Sequence, residues 1–145
     1  MKQKEFKTVI KASKEKVWSV LWSDGTYPIW TAPFGEGSRA ETDWQEGSRI
    51  LFLGSNNNGM VSKILTKKAN EYMSFEHQGV VKNGKEDLTG TDAKSVQGAQ
   101  ENYILKEKDG RTELKVVVDI TEAYSEYFQK AFPKALQIVK ELSEK

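Results

Sequence analysis

The sequence predicts an α+β domain, one antiparallel sheet with its helices gathered on one face. Three observations carry this expectation. Strand-like segments dominate the middle of the chain. Short turn signals such as Asn83-Gly84 and Asp109-Gly110 separate them. Helical apolar spacing occurs near the two ends only, at Val17, Trp18, Leu21 and Trp22 and again from Tyr124 to Leu142.

Lys4–Ile10 alternates Phe6, Thr8 and Ile10 against Glu5, Lys7 and Val9, as a weakly amphipathic strand does. Ser13 then has the chemistry of an N-cap, its hydroxyl free to accept from an amide of the first turn of a helix over Lys14–Trp22. Ser23-Asp24-Gly25 ends that helix. A second short helix follows over Thr26–Trp30, closed by Pro33 and Gly35. Arg39–Asp43 and Ser48–Leu53 read as strands joined through Gly47. Gly54–Gly59 is a loop rich in residues that tolerate positive φ. Met60–Thr66 and Tyr72–His77 are the next strands. Val80-Val81-Lys82 and Lys85-Glu86-Asp87 flank Asn83-Gly84 as a hairpin, and Thr89–Gly98 is small, polar and loop-like. Gln100–Lys106 and Thr112–Ile120 form a last hairpin, with Leu114, Val116, Val118 and Ile120 on one face. The C-terminal stripe runs Tyr124, Phe128, Ala131, Phe132, then Ala135, Leu136, Val139 and Leu142. Pro133 interrupts it, which predicts a kink or a new helix starting there.

Composition sets the limits on function. The 145 residues suit a single domain spanning 1–145. With 22 basic and 21 acidic residues the net charge is +1, which argues against a dedicated nucleic-acid binder. The absence of cysteine excludes disulfides, thiolate metal sites and a cysteine nucleophile, and the lone histidine excludes a multi-histidine metal cluster. No apolar run is long enough for a helical membrane span, and MKQKEFKTVI lacks the apolar stretch of a signal peptide. The expectation is a soluble, cytoplasmic domain with no cofactor and no metal. Hydrophobic residues make up 37%, yet aromatics reach 10%, and Trp18, Trp22, Trp30 and Trp44 all fall in the first third. Such large side chains either fill a core or line a cavity.

The ordered set of features resembles a known superfamily. It comprises the short first strand, the Ser13-capped helix with Val17 and Trp18, the Trp44-x-x-Gly47 turn, and the closing helix with Tyr127-Phe128 and Pro133-Lys134-Ala135-Leu136. Together these resemble the START-like (SRPBCC) superfamily. Glu76-His77-x-Gly79, Lys82–Asp87 and Glu101-Asn102-Tyr103 are similar to a bacterial subgroup of its AHSA1-like branch, named after the activator of the Hsp90 ATPase. The resemblance implies a helix-grip (Bet v 1-like) fold. Six to seven curved antiparallel strands would wrap a long C-terminal helix, with two short helices after the first strand and a cavity between sheet and helix. It implies no single chemistry, since relatives include lipid, hormone and polyketide binders and a few cyclases.

Two constellations are candidate sites. If Tyr72–His77 and Glu101–Leu105 pair with residue 75 opposite 103, then 73 faces 105 and His77 faces Glu101 on the inner face, with β-carbons about 4.5–5.5 Å apart. A histidine–carboxylate pair can move a proton or orient a polar ligand group; the plainer reading is a structural pair at the sheet end, or His77 in solvent. The second set is Trp30, Phe34, Trp44, Phe52, Phe75, Tyr103, Phe128 and Phe132, which either line a ligand pocket or pack solidly. Tyr27, Tyr124 and Tyr127 are candidates for its rim. Glu41, Asp43 and Glu46 lack the spacing of a calcium loop. Lys63, Lys67, Lys68, Lys106 and Lys108 read as a solvated face, and neither glycine cluster has the phosphate-binding pattern. The long connection Gln78–Ala99 reads as a lid over the cavity or as an inert hairpin.

The leading expectation is a binding module for a small hydrophobic or amphipathic ligand held by Trp30, Phe34, Trp44, Phe52, Phe75, His77, Glu101, Tyr103, Phe128 and Phe132. A cofactor-independent enzyme using His77 and Glu101 is the alternative. A co-chaperone-like partner of Hsp90 is a third reading, resting on family analogy alone.

Overall fold

Nine residues of alternating exposure, Lys2–Ile10, open the chain as β1 in the computed structural model, which describes residues 1–145. The helices α1 (Lys14–Trp22) and α2 (Tyr27–Trp30) follow, then β2 (Arg39–Glu41), β3 (Arg49–Leu53), β4 (Gly59–Lys68), β5 (Tyr72–Lys82) and β6 (Lys85–Asp87). A short helix α3 (Thr91–Val96), the strands β7 (Gln100–Lys108) and β8 (Arg111–Ile120), and the long helix α4 (Ser125–Ser143) complete it. All strand pairings are antiparallel, in the order β1-β8-β7-β5-β4-β3-β2, with β6 added to β5. The architecture is therefore α+β, with eight strands where six to seven were expected. The extra one is the three-residue β6 at the Asn83-Gly84 hairpin.

The turns follow from residue chemistry. Asn83 and Gly84, and likewise Asp109 and Gly110, both take positive φ, as a two-residue turn matched to strand twist requires. Ser13 caps α1, its hydroxyl accepting the Lys16 N–H at 3.2 Å. The core lies between the sheet and the helices. Ile10, Leu105, Leu114 and Val116 meet Phe132, Ala135, Leu136 and Val139 of α4, and Phe6 of β1 stacks on Phe132 at 4.7 Å.

Three expectations are corrected. The helix does not break at Pro133: α4 runs through it as one element of 19 residues. Pro133 is exposed, and the buried residues on both sides of it, Ala131 and Phe132 before and Ala135, Leu136 and Val139 after, share one face. Packing of that stripe outweighs the missing amide, which leaves the Gln129 carbonyl without its helical partner. Thr89–Gly98 is not a bare loop, because it contains α3, anchored by the fully buried Ala93. The Asp87 carboxylate organises the entry, accepting the N–H groups of Thr89 at 3.1 Å and Gly90 at 2.9 Å. Those two bonds hold its pKa below the usual carboxylate value.

The third correction concerns register. Phe75 lies opposite Glu101, and Met73 opposite Tyr103, a slip of two residues from the expected pairing. An even slip preserves faces, so the same residues still point inward. His77 pairs by backbone with Ala99, donating its N–H to that carbonyl at 2.8 Å. On the other side of β5, Gln78 is an extra residue against β4, and Leu65 is an extra residue on β4. These bulges bring Ser62 opposite His77.

Candidate functional site

Three neighbouring strands bring four polar side chains into a row. Ser62 of β4 is fully buried, and its hydroxyl lies 2.6 Å from Nδ1 of His77 on β5. The His77 Nε2 atom stands 3.6 Å from Oε2 of Glu101 on β7. The Tyr103 hydroxyl, two residues further along β7, donates to Glu101 Oε1. His77 and Glu101 thus meet diagonally across the sheet, not directly opposite. Their side chains keep 12% and 22% of their exposure, against complete burial of Ser62. The row is therefore dry at its Ser62 end and open at Glu101.

The α1–α2 corner closes the far end. Trp30 Nε1 donates to the Leu21 carbonyl at 3.0 Å, and Thr26 Oγ1 donates to the Val20 carbonyl at 2.5 Å, which fixes α2 against α1. This places the Tyr27 ring inside, near Glu101. Burial pushes the Tyr27 hydroxyl well above its ordinary pKa, and the negative charge of Glu101 adds to the shift. Tyr103 shifts the same way, through burial first, then the Glu101 charge and the hydrogen bond to it.

Between sheet and α4 a half-enclosed cleft of about 290 Å³ remains. Phe52, His77, Glu101 and Tyr103 line it from the sheet, Tyr127, Phe128 and Phe132 from α4, and Tyr27, Trp30 and Phe34 from its end. Phe34 meets Phe132 edge to face at 4.8 Å. Gly59 at the border is a point of close backbone approach, since a Cβ there would stand 1.7 Å from the Phe52 carbonyl oxygen. A second hollow of about 240 Å³ shares Gly59, Met60, His77 and Phe128 with the first and extends past Val96 of α3 to Tyr124.

Of the residues expected to form a site, Trp30, Phe34, Phe52, His77, Glu101, Tyr103, Phe128 and Phe132 do line the cleft. Phe75 and Trp44 do not reach its surface. Phe75 is 1% exposed, walled in by Trp22, Phe52 and Tyr103. Trp44 packs behind, against Trp22 at 5.5 Å and Tyr27 at 6.0 Å. Tyr27 is a buried wall residue and not a rim residue, whereas Tyr124 and Tyr127 are exposed. Sequence reasoning passed over Ser62, Met60 and Thr31. The signal for Ser62 was a lone hydroxyl among Val61 and Ile64, but its partner depended on a bulge that no local pattern announces. The three acidic candidates have structural employment. Glu41 pairs with Arg39, Asp43 accepts the Gln45 N–H, and Glu46 accepts the Lys67 N–H at 2.9 Å. No helix is long and apolar enough to cross a membrane.

No family model matches the sequence, and no curated protein matches it. Solved structures match the fold. Protein MLL2253 from Mesorhizobium loti superposes with a TM-score of 0.76 at 12% identity, over 97% of this chain and 96% of that one. The Aha1 dimer from Colwellia psychrerythraea gives 0.71 at 19% identity, covering 99% and 97%. Protein CV1439 from Chromobacterium violaceum gives 0.71 at 15% identity, covering 100% and 99%. The fold is the helix-grip one, an antiparallel curved sheet around a long C-terminal helix, and the matched structures include that Aha1 dimer.

Proposed function

We propose that the cleft between the sheet and α4 binds a small apolar or amphipathic molecule. The observation that carries this reading is open space bounded by aromatic rings, with one polar row, Ser62–His77–Glu101–Tyr103, ending at its surface. Sites of this kind combine apolar walls with a few placed polar groups. Burying 200 Å² of apolar ligand surface would contribute about 5 kcal/mol at 25 cal/mol per Å², before the costs of association.

Binding of N-phenyl-1-naphthylamine, a neutral fluorescent probe, tests it. Phe128→Ala should weaken probe binding at least fivefold, and Met60→Trp, which fills the shared border of the two hollows, should weaken it further. Lys16→Ala, on the exposed face of α1, should leave it unaltered. Probe affinity indifferent to both cleft substitutions would overturn the proposal. Solvent extraction and mass spectrometry of freshly purified protein would identify a co-purifying ligand.

A second reading, proton transfer by His77 with Glu101, draws on the 3.6 Å approach of the pair at the cleft surface. His77→Ala with unaltered turnover of a discovered substrate would remove it.

A further inference from the structure

The charge distribution around the cleft is one-sided. None of its 18 lining residues is lysine or arginine, and Glu101 is the one carboxylate among them. The adjoining hollow adds Asp119 and Met1, and again no lysine or arginine side chain. His77 is the only other ionisable base in the cleft lining. Its Nδ1 faces the Ser62 hydroxyl, whose one hydrogen-bond partner it is. No lysine or arginine side chain lines the cleft to offset the Glu101 carboxylate.

Glu101 also has acceptor capacity to spare. Oε1 takes the Tyr103 hydroxyl, while Oε2 stands 3.6 Å from His77 Nε2, too far for a good hydrogen bond. A carboxylate has about four lone-pair sites, and this one remains partly open to the cleft. The other cleft walls include the rings of Tyr27, Trp30, Phe34, Phe52 and Phe128, and aromatic faces attract cations. Burial is the main cause of the raised pKa values of Tyr27 and Tyr103, and the Glu101 charge adds to both.

We infer that the cleft selects amphipathic ligands bearing an ammonium group, held against Glu101 within the aromatic walls, and rejects carboxylates of the same shape. This rests on the reading of the cleft as a ligand site and specifies the ligand's charge.

Three probes of similar shape separate the possibilities: 1-naphthylmethylamine, 1-naphthalenemethanol and 1-naphthoate, titrated calorimetrically at pH 7 into the full chain. The amine should bind at least tenfold more tightly than the acid, with the alcohol between them. Glu101→Gln should reduce the amine-to-acid ratio at least tenfold, and Glu101→Asp, which keeps the charge, should retain most of it. Raising salt should lower the ratio in the unmodified protein, a readout that needs no variant to fold. An acid binding as tightly as the amine, or a ratio that survives Glu101→Gln and is indifferent to salt, overturns the inference while leaving the cleft a ligand site. Failure of all three probes to bind removes the ligand site and this inference with it.

Discussion

Glu101 shows how one side chain acquires a role from its neighbours. It lies opposite Phe75 in the sheet, yet its polar partners are reached along its own strand, at Tyr103, and diagonally, at His77. The pairing of His77 with Glu101 was legible from face parity, which an even register slip preserves. The bond from Ser62 to His77 was not, because it depends on Gln78 being an extra residue in β5. Tyr27 and Tyr103 yield a prediction at this scale. In the unfolded chain both would ionise near the ordinary tyrosine value of about 10, whereas burial holds both folded values well above it. Below the unfolded value neither state loses a proton and the contribution to stability is full. Above it the unfolded state ionises first, so stability falls with rising pH until the folded value is reached. Urea unfolding between about pH 8 and pH 11 should show this decline, and the Tyr27→Phe, Tyr103→Phe double variant should decline less steeply. Equal slopes would contradict the burial of the two hydroxyls.

At the scale of elements, local chemistry was decisive where one backbone requirement dominated. Asn83-Gly84 and Asp109-Gly110 marked their hairpins because positive φ suits few residues. Ser13 marked the start of α1 for a similar reason, a free amide and a short acceptor beside it. The helix α3 was hidden because its burial rests on Ala93, and one small apolar residue gives no periodic signal. Of the two outcomes expected at Pro133, a kink or a new helix, the new helix is excluded, because the buried stripe continues on both sides of it within one helix. Proline in a helix interior is about 3 kcal/mol less favourable than alanine, partly offset by its smaller unfolded-state entropy. Because Pro133 is exposed, Pro133→Ala should remove no core contact and should raise unfolding free energy by about 2 kcal/mol. Denaturant titration checks this; a loss of stability would mean that the proline shapes α4 to fit the sheet.

At the scale of the whole molecule, the sheet and α4 together bury one large cluster, but the rings along their shared edge leave a gap. A ligand that enters this gap and ignores the unfolded chain must stabilise the fold by mass action, by about 2.7 kcal/mol at a concentration of 100 times its Kd. Thermal melting with increasing naphthylmethylamine should therefore show a rising Tm, and the rise should shrink in Phe128→Ala. A constant Tm at saturating probe would count against binding in the cleft.

The order of the strands and of every helix but α3, the antiparallel sheet, the inward faces and most of the aromatic lining could be read from the chain alone. Periodicity, caps and turn residues act over a few positions and leave their mark in linear order. The register of β5 against β7, the bulges that join Ser62 to His77, the continuity of α4 through Pro133, and the retreat of Phe75 and Trp44 behind the cleft wall were settled by packing in three dimensions. Each depends on how much surface distant segments can bury against one another, a quantity that short stretches of sequence do not contain.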